Sequence, residues 1–253
     1  MSAEDLAKQD ESNDFGDIPG VGAGRNWAHV NSVDYDPTDD SIIISSRRQS
    51  AVIKIGRDKK VKWILASPEG WKDAFAGKVL KPVDKVGNPI KCEGSKCEQS
   101  FDWAWTQHTA WRIDSKSNAD EVYITVFDNG DARGMEQPAL EEEKCTRGVV
   151  YRIDQKKMTV EQVWEVGKDL GHKYYSPVAG LCQCQADKDS VVVYYSTRGL
   201  SMTGDGDAKG LKRPSPSITE YRWGETKPAV EIELIDTMGC QAFPIHLDRA
   251  FNQ

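Results

Sequence analysis

His29-Val30-Asn31-Ser32-Val33-Asp34 opens the stretch that decides the fold. It is followed by Ser41-Ile42-Ile43-Ile44-Ser45-Ser46, Ala51-Val52-Ile53-Lys54-Ile55 and Val61-Lys62-Trp63-Ile64. Each run is short and rich in β-branched residues, and polar turn residues separate them, the pattern of successive antiparallel strands. The same order returns twice. His108-Thr109-Ala110-Trp111-Arg112-Ile113-Asp114 leads to Glu121-Val122-Tyr123-Ile124-Thr125-Val126, Gly148-Val149-Val150-Tyr151-Arg152-Ile153 and Gln162-Val163-Trp164-Glu165. Ser176-Pro177-Val178-Ala179-Gly180 leads to Ser190-Val191-Val192-Val193-Tyr194-Tyr195-Ser196, then to Ser217–Trp223 and Val230–Leu234. An acidic turn precedes the second strand each time: Asp39-Asp40, Ala119-Asp120 and Asp187-Lys188-Asp189. A repeat of four short strands is the pattern of a propeller blade. The sequence therefore predicts an all-β fold of about three four-stranded β-propeller blades over residues 25–253, preceded by a polar segment or linker at 1–24. Long insertions interrupt the blades at 67–101, 128–147 and 198–215.

Three blades do not close a ring, because propellers have about four to eight. Open sheet faces and unpaired edges are a liability, so closure is expected through dimerisation or through membership of a longer protein. With 38% hydrophobic and 29% charged residues, the 253-residue chain reads as globular rather than disordered. Its net charge of −7 argues against nucleic acid as a partner, and no apolar run has membrane length. Residues 1–17 have neither a basic nor an apolar region, so no secretion signal is read in the chain as written, which would leave it cytoplasmic. Of the six cysteines, Cys92 and Cys97 flank a tight polar loop that could close as a disulfide in an oxidising compartment. Cys182 and Cys184 alternate as one face of a strand would. Those two, with Cys145 and Cys240, are expected to be buried free thiols.

The chemistry is sought at two histidines. Phe101-Asp102-Trp103-Ala104-Trp105-Thr106-Gln107-His108 sets a histidine among tryptophans, and Asn26-Trp27-Ala28-His29-Val30-Asn31 repeats the arrangement. His29 and His108 stand at the same place in consecutive repeats, where an innermost strand begins beside the propeller channel, so both are expected to face one pocket. Arg47, just after the second strand, can reach the same rim, and Ser196-Thr197-Arg198 holds the comparable place in the third repeat. Two histidines, an arginine fork and the Asn31 amide suit an anion with three equatorial oxygens, a sulfuryl or phosphoryl group, which one histidine can attack. Alone, each has a plainer reading: a hydrogen-bonded structural histidine, a solvated arginine, a turn asparagine. His172 and His246 have no supporting residues and read as structural. Trp63 and Trp164 read as core, and Trp103, Trp105 and Trp111 as either core or pocket wall. The chain has no Gly-rich P-loop for a nucleotide phosphate. A metalloprotein built on the histidines and cysteines lacks a recognised ligand spacing, so no metal or cofactor is expected.

On these residues the chain resembles the PAPS-independent bacterial arylsulfate sulfotransferases. The resemblance is carried by His29-Val30-Asn31, Ser45-Ser46-Arg47, Gln49-Ser50-Ala51-Val52-Ile53-Lys54-Ile55, Ser67-Pro68-Glu69-Gly70-Trp71, the Cys92/Cys97 pair and Gln107-His108-Thr109. It implies the C-terminal half of a six-bladed propeller, in a family that also has an N-terminal β-sandwich, forms homodimers and is exported to the periplasm. The family's sandwich, first three blades and one further active-site histidine have no counterpart in these residues, so pairing with that missing half is an alternative to the homodimer. The implied reaction is ping-pong transfer of a sulfuryl group from an aryl sulfate donor to a phenolic acceptor, without metal or nucleotide. By motif, His108 matches the transiently sulfated nucleophile. His29, Asn31 and Arg47 match residues that bind the sulfuryl group or assist proton transfer, and Cys92 and Cys97 match a structural disulfide. Trp103 and Trp105 are expected against the aryl ring. The alternative is a catalytically inactive propeller fragment that binds ligands or partners.

Overall fold

The computed structural model describes residues 28–99, 101–135, 139–200 and 214–245. The segment 1–24, His246 and most of the 198–215 insertion lie outside them. The first blade is an antiparallel sheet of β1 (Val30–Asp36), β2 (Ser41–Ser46), β3 (Ala51–Gly56) and β4 (Val61–Leu65), in sequence order. The following insertion carries β5 (Lys81–Pro82) and a small hairpin of β6 (Cys92–Glu93) and β7 (Lys96–Cys97). The second blade holds β8 (Ala110–Arg112), β9 (Glu121–Asp128), β10 (Arg147–Asp154) and β11 (Thr159–Val166). The third holds β12 (Leu181–Gln185), β13 (Ser190–Tyr195), β14 (Ser217–Arg222) and β15 (Val230–Glu233). These are the three meandering four-stranded blades read from the repeat. One addition was not foreseen: β5 pairs parallel to β11 and makes the second sheet five-stranded. Among the described residues no helix is long and apolar enough to cross a membrane.

The middle blade is covered on both faces, which is why its strands are apolar at consecutive positions rather than alternate ones. Strand β9 is buried at Val122 and from Ile124 through Asp128. On one side, Ile43, Val52, Trp63 and Leu65 of the first blade pack with Val122, Ile124, Val126, Val149 and Tyr151. On the other, Phe127, Val150 and Trp164 pack with Cys182, Val191, Val193 and Tyr195 of the third. Trp63 and Trp164 are core, as expected. Gly180, at the entrance to the third blade, has φ +109°, and a Cβ there would lie 2.1 Å from Phe127 Cε1. Only glycine lets this loop sit so close to the second blade.

Cys92 and Cys97 form a disulfide across the small hairpin. Cys182 and Cys184 share a face of β12, with Cys182 buried and Cys184 packed at the cluster's margin. Cys145 is buried, but the expectation of burial fails for Cys240, which is exposed on the segment after β15. That segment also exposes Ile235 and Met238, so the thiol has no cluster to enter.

Lys54 lies inside the apolar run of β3 and is fully buried. Its Nζ is 2.6 Å from Asp36, also fully buried, and donates to Gln155 of the second blade at 2.7 Å. Burial opposes the Asp36 charge, but Lys54 and two bonds from Thr38 outweigh it and hold its pKa below the usual value. Lys54→Met removes one member of this pair and leaves Asp36 with only Arg112 Nε at 3.3 Å to offset its buried charge, so the loss should approach the roughly 3–5 kcal/mol typical of breaking a buried pair. Urea unfolding should show that loss, whereas Lys60→Met, at an exposed pair with Asp58, should leave the midpoint unmoved.

Candidate functional site

The pocket is assembled where the entrances of the three blades meet, and Gln107 holds two of them together. Its side chain is fully buried. Nε2 donates to the carbonyls of Ala51 (2.8 Å) and Ser46 (3.2 Å), on either side of the turn that carries Arg47. The Gln107 carbonyl accepts from Asn31 Nδ2 at 3.0 Å and from Ser45 Oγ at 3.2 Å. The segment before the second blade is thereby tied to β1 and β2, and His108 is the next residue. His108 N–H donates to the Phe127 carbonyl at 3.0 Å, and the Arg47 amide donates to the carbonyl of His29 at 3.0 Å. The two imidazoles stand edge to face, with centroids 6.3 Å apart. Four non-glycine residues here have left-handed backbone: His29 (φ +48°), Ser50 (φ +45°), Thr106 (φ +49°) and Ala179 (φ +55°).

His108 is held at both ring nitrogens. Nδ1 is 2.7 Å from Oδ1 of Asn129, the residue just after β9, and Nε2 accepts from the Ala179 amide at 3.0 Å. Burial is the main reason its pKa falls from the usual 6.5 to about 4. The charges of Arg47 and His29 add to that, and the Asn129 bond opposes it. The imidazole is therefore neutral near pH 7, the form that can act as a nucleophile. Arg47 is 7% exposed, and its Nη2 donates to Asp131 (3.2 Å) and to the Pro177 carbonyl (3.3 Å). Burial lowers its pKa, with Asp131 working in the opposite direction. Tyr175 donates to the other oxygen of Asp131 at 3.2 Å. All three blades thus contribute: His29, Asn31 and Arg47 from the first, His108, Asn129 and Asp131 from the second, and the 175–180 loop from the third.

The structure brings together His29, Arg47 and His108, with Asn31 joined to them through Gln107. It places Trp103 and Trp105 elsewhere. Trp103 is 1% and Trp105 4% exposed, both inside the core between the first two blades. Trp105 borders a shallow cavity with Arg133 and Lys168 on the disulfide side. Arg198 bonds the Ser215 carbonyl and Glu233 within its own blade. His172 is exposed in a turn, beside the Glu141 carbonyl. Among the described residues no cluster of His, Cys, Asp and Glu has the makings of a metal site. Sequence reading missed Asn129, Asp131 and the Ala179 amide. The repeat held a signal for the first, because Asn129 follows β9 as Arg47 follows β2.

Propeller blades with a neutral histidine beside a buried arginine at their shared entrance define a candidate group-transfer site. The family model described as Arylsulfotransferase (ASST) matches residues 2–242, and the chain belongs to that family. It is 56% identical over 228 residues to the arylsulfate sulfotransferase AssT of Escherichia coli O6:H1, covering 89% of this chain and 36% of that protein. It is 49% identical over 200 residues to arylsulfate sulfotransferase AssT of Lelliottia amnigena, covering 78% of this chain and 32% of that one. The chain thus spans about a third of the length of the curated relatives it matches. A solved structure of Kuenenia stuttgartiensis hydrazine synthase overlaps 81% of this chain and 66% of its own, at 13% identity and a TM-score of 0.24, which carries no argument.

The low pKa of His108 has a stability consequence. Because the folded value (about 4) lies below the usual 6.5, the unfolded chain takes up the proton first as pH falls. Stability is thus unaffected by this group above about pH 6.5 and is progressively lost between there and about pH 4. Denaturant unfolding at pH 7 and pH 5 should show a smaller difference for His108→Gln than for the unaltered chain.

Proposed function

We propose that this chain provides the C-terminal part of the active site of an arylsulfate sulfotransferase, with His108 as the residue that becomes sulfated. The observation that carries the reading is a neutral, doubly anchored His108 placed beside His29 and a buried Arg47. In the first half-reaction the His108 imidazole attacks the sulfur of an aryl sulfate. The N–S bond forms, the ester S–O bond breaks, and the phenolate leaves with the electron pair. Arg47 offers charge-assisted donors to the sulfuryl oxygens as negative charge shifts to the leaving oxygen, and Asn31 adds an amide. In the second half a phenol attacks the sulfohistidine, and His29 takes its proton. The Cys92–Cys97 disulfide supports an oxidising compartment, so we place the protein in the periplasm. We also propose that a second copy, or further blades such as the longer relatives have room for, completes the ring.

One observation favours a second reading, a non-catalytic module that binds aryl sulfates at the same place. The Ala179 amide already occupies His108 Nε2, so attack from that atom requires this bond to open. Intact mass spectrometry separates the two readings. Mixing the chain with an aryl sulfate and no acceptor should add one sulfuryl group, absent in His108→Ala and discharged by a phenol. Arg47→Ala should slow adduct formation about 10²–10³-fold, the usual effect of removing one such donor. A folded chain that binds the aryl sulfate without gaining mass, both alone and when joined to the further blades of a longer relative, would establish the binding module instead.

A further inference from the structure

We propose that Asn129 is a positioning residue that fixes His108 as the Nδ1–H tautomer, so that the Nε2 lone pair is the attacking one and the Nδ1 proton stays on the ring through the transfer. The inference rests on the sulfohistidine reading above and adds which nitrogen reacts and what selects it. The orientation of the Asn129 amide follows from its partners. Nδ2 lies 2.8 Å from the Ser176 carbonyl and 2.8 Å from the Ala179 carbonyl. Carbonyl oxygens only accept, so the NH2 group must face them, and both of its hydrogens are used. Oδ1 is thereby left toward His108 Nδ1 at 2.7 Å, and since it can only accept, Nδ1 must carry the hydrogen. On the far side of the ring Nε2 accepts the Ala179 N–H. A neutral imidazole has one donor and one acceptor nitrogen, so the two bonds demand the same tautomer independently. Asn129 is fully buried, and its backbone carbonyl accepts from Thr146 Oγ1 at 2.9 Å, so main chain and side chain are both anchored.

This arrangement has a chemical consequence for the transferred group. When Nε2 forms the N–S bond and the aryl oxygen departs with its electron pair, the retained Nδ1 proton makes the ring an N-sulfoimidazolium. Its leaving group in the return step is then neutral imidazole. Were the Nδ1 proton lost, the leaving group would be an imidazolate anion and the second transfer would be slow. An amide oxygen accepts the Nδ1–H bond without being basic enough to take the proton, whereas a carboxylate at the same place could. The Ala179 amide loses its acceptor as the N–S bond forms, which leaves this N–H beside the sulfuryl oxygens. Asn129 holds the same loop through the Ala179 carbonyl, so one side chain orients the nucleophile and the donor that caps it.

The test combines ¹⁵N NMR of the His108 ring with rapid-quench mass spectrometry of both half-reactions. The unaltered chain should show the Nδ1–H tautomer. Asn129→Ala should shift His108 toward Nε2–H and slow adduct formation roughly 10–100-fold, by analogy with the loss when the partner that orients a metal-bound imidazole is removed. Asn129→Asp should keep Nδ1 hydrogen-bonded and still form adduct, yet discharge it to a phenol at least tenfold more slowly. A purely structural role would not split the half-reactions in this way. An Nε2–H tautomer in the unaltered chain overturns the proposal, as does an Asn129→Ala chain that keeps both tautomer and adduct rate within twofold. If Asn129→Ala does not fold, the split in Asn129→Asp decides alone, and its absence also counts against the proposal. If no adduct forms even when the chain is joined to the further blades of a longer relative, the sulfohistidine reading fails, and the tautomer spectra decide separately whether Asn129 fixes the ring.

Discussion

The buried carboxylate of Asp128 organises everything around the pocket. It ends β9, is fully enclosed, and accepts from Arg147 Nε at 2.8 Å, Arg133 Nη2 at 2.7 Å and the Trp105 amide at 2.8 Å. Those three partners come from the start of β10, from the insertion between β9 and β10, and from the segment that leads to His108. A carboxylate withdrawn from water at this depth survives only when its charge is matched and its lone pairs are used. Asp102 and Glu165 extend the network through Arg133 and Arg147. Burial acts against the Asp102 charge, but the two guanidinium groups prevail and keep its pKa below the usual range. The next residue in the chain is Asn129, and two further on is Asp131. The polar core therefore determines where the partners of His108 and Arg47 stand.

Burial on both faces explains why the blades could be read and the pocket only in part. Ser41–Ser46 was legible to the residue, because a β-branched run between acidic and basic turns has few alternative readings. Strand β9 runs two residues past its apparent end at Val126, since Asp128 reads as a turn residue while the fold buries it as a pairing member. The two-residue β5 has no periodicity at all, and its parallel pairing with β11 spans a long separation. His29, Arg47 and His108 were visible because the repeat gave them a frame. Asn129 holds the place after β9 that Arg47 holds after β2, but a lone asparagine at a strand end reads as a turn residue; Asp131 sits in an insertion where the repeat breaks off, and Ala179 contributes only its backbone, which no side-chain pattern can announce.

The tryptophans mark the opposite failure. Trp103 and Trp105 were expected against the aryl ring, yet large rings are as useful to the packing between two blades as to a ligand. Phe101 and Trp103 meet edge to face at 4.9 Å in that interface. Sequence proximity to His108 was a poor guide because the chain crosses from core to pocket within a few residues, between Trp105 and His108. The bend at Thr106 makes that crossing, and its amide is fixed by Ser50 Oγ at 3.0 Å.

The left-handed residues around the pocket set a tension between durability and chemistry. A side chain with a Cβ at such angles costs on the order of 1 kcal/mol or more relative to an ordinary backbone, and His29, Thr106 and Ala179 each accept it where their backbone or ring must point inward. Selection for heat resistance alone would relax such positions toward glycine. At Ala179 that change would also free the loop whose amide reaches Nε2.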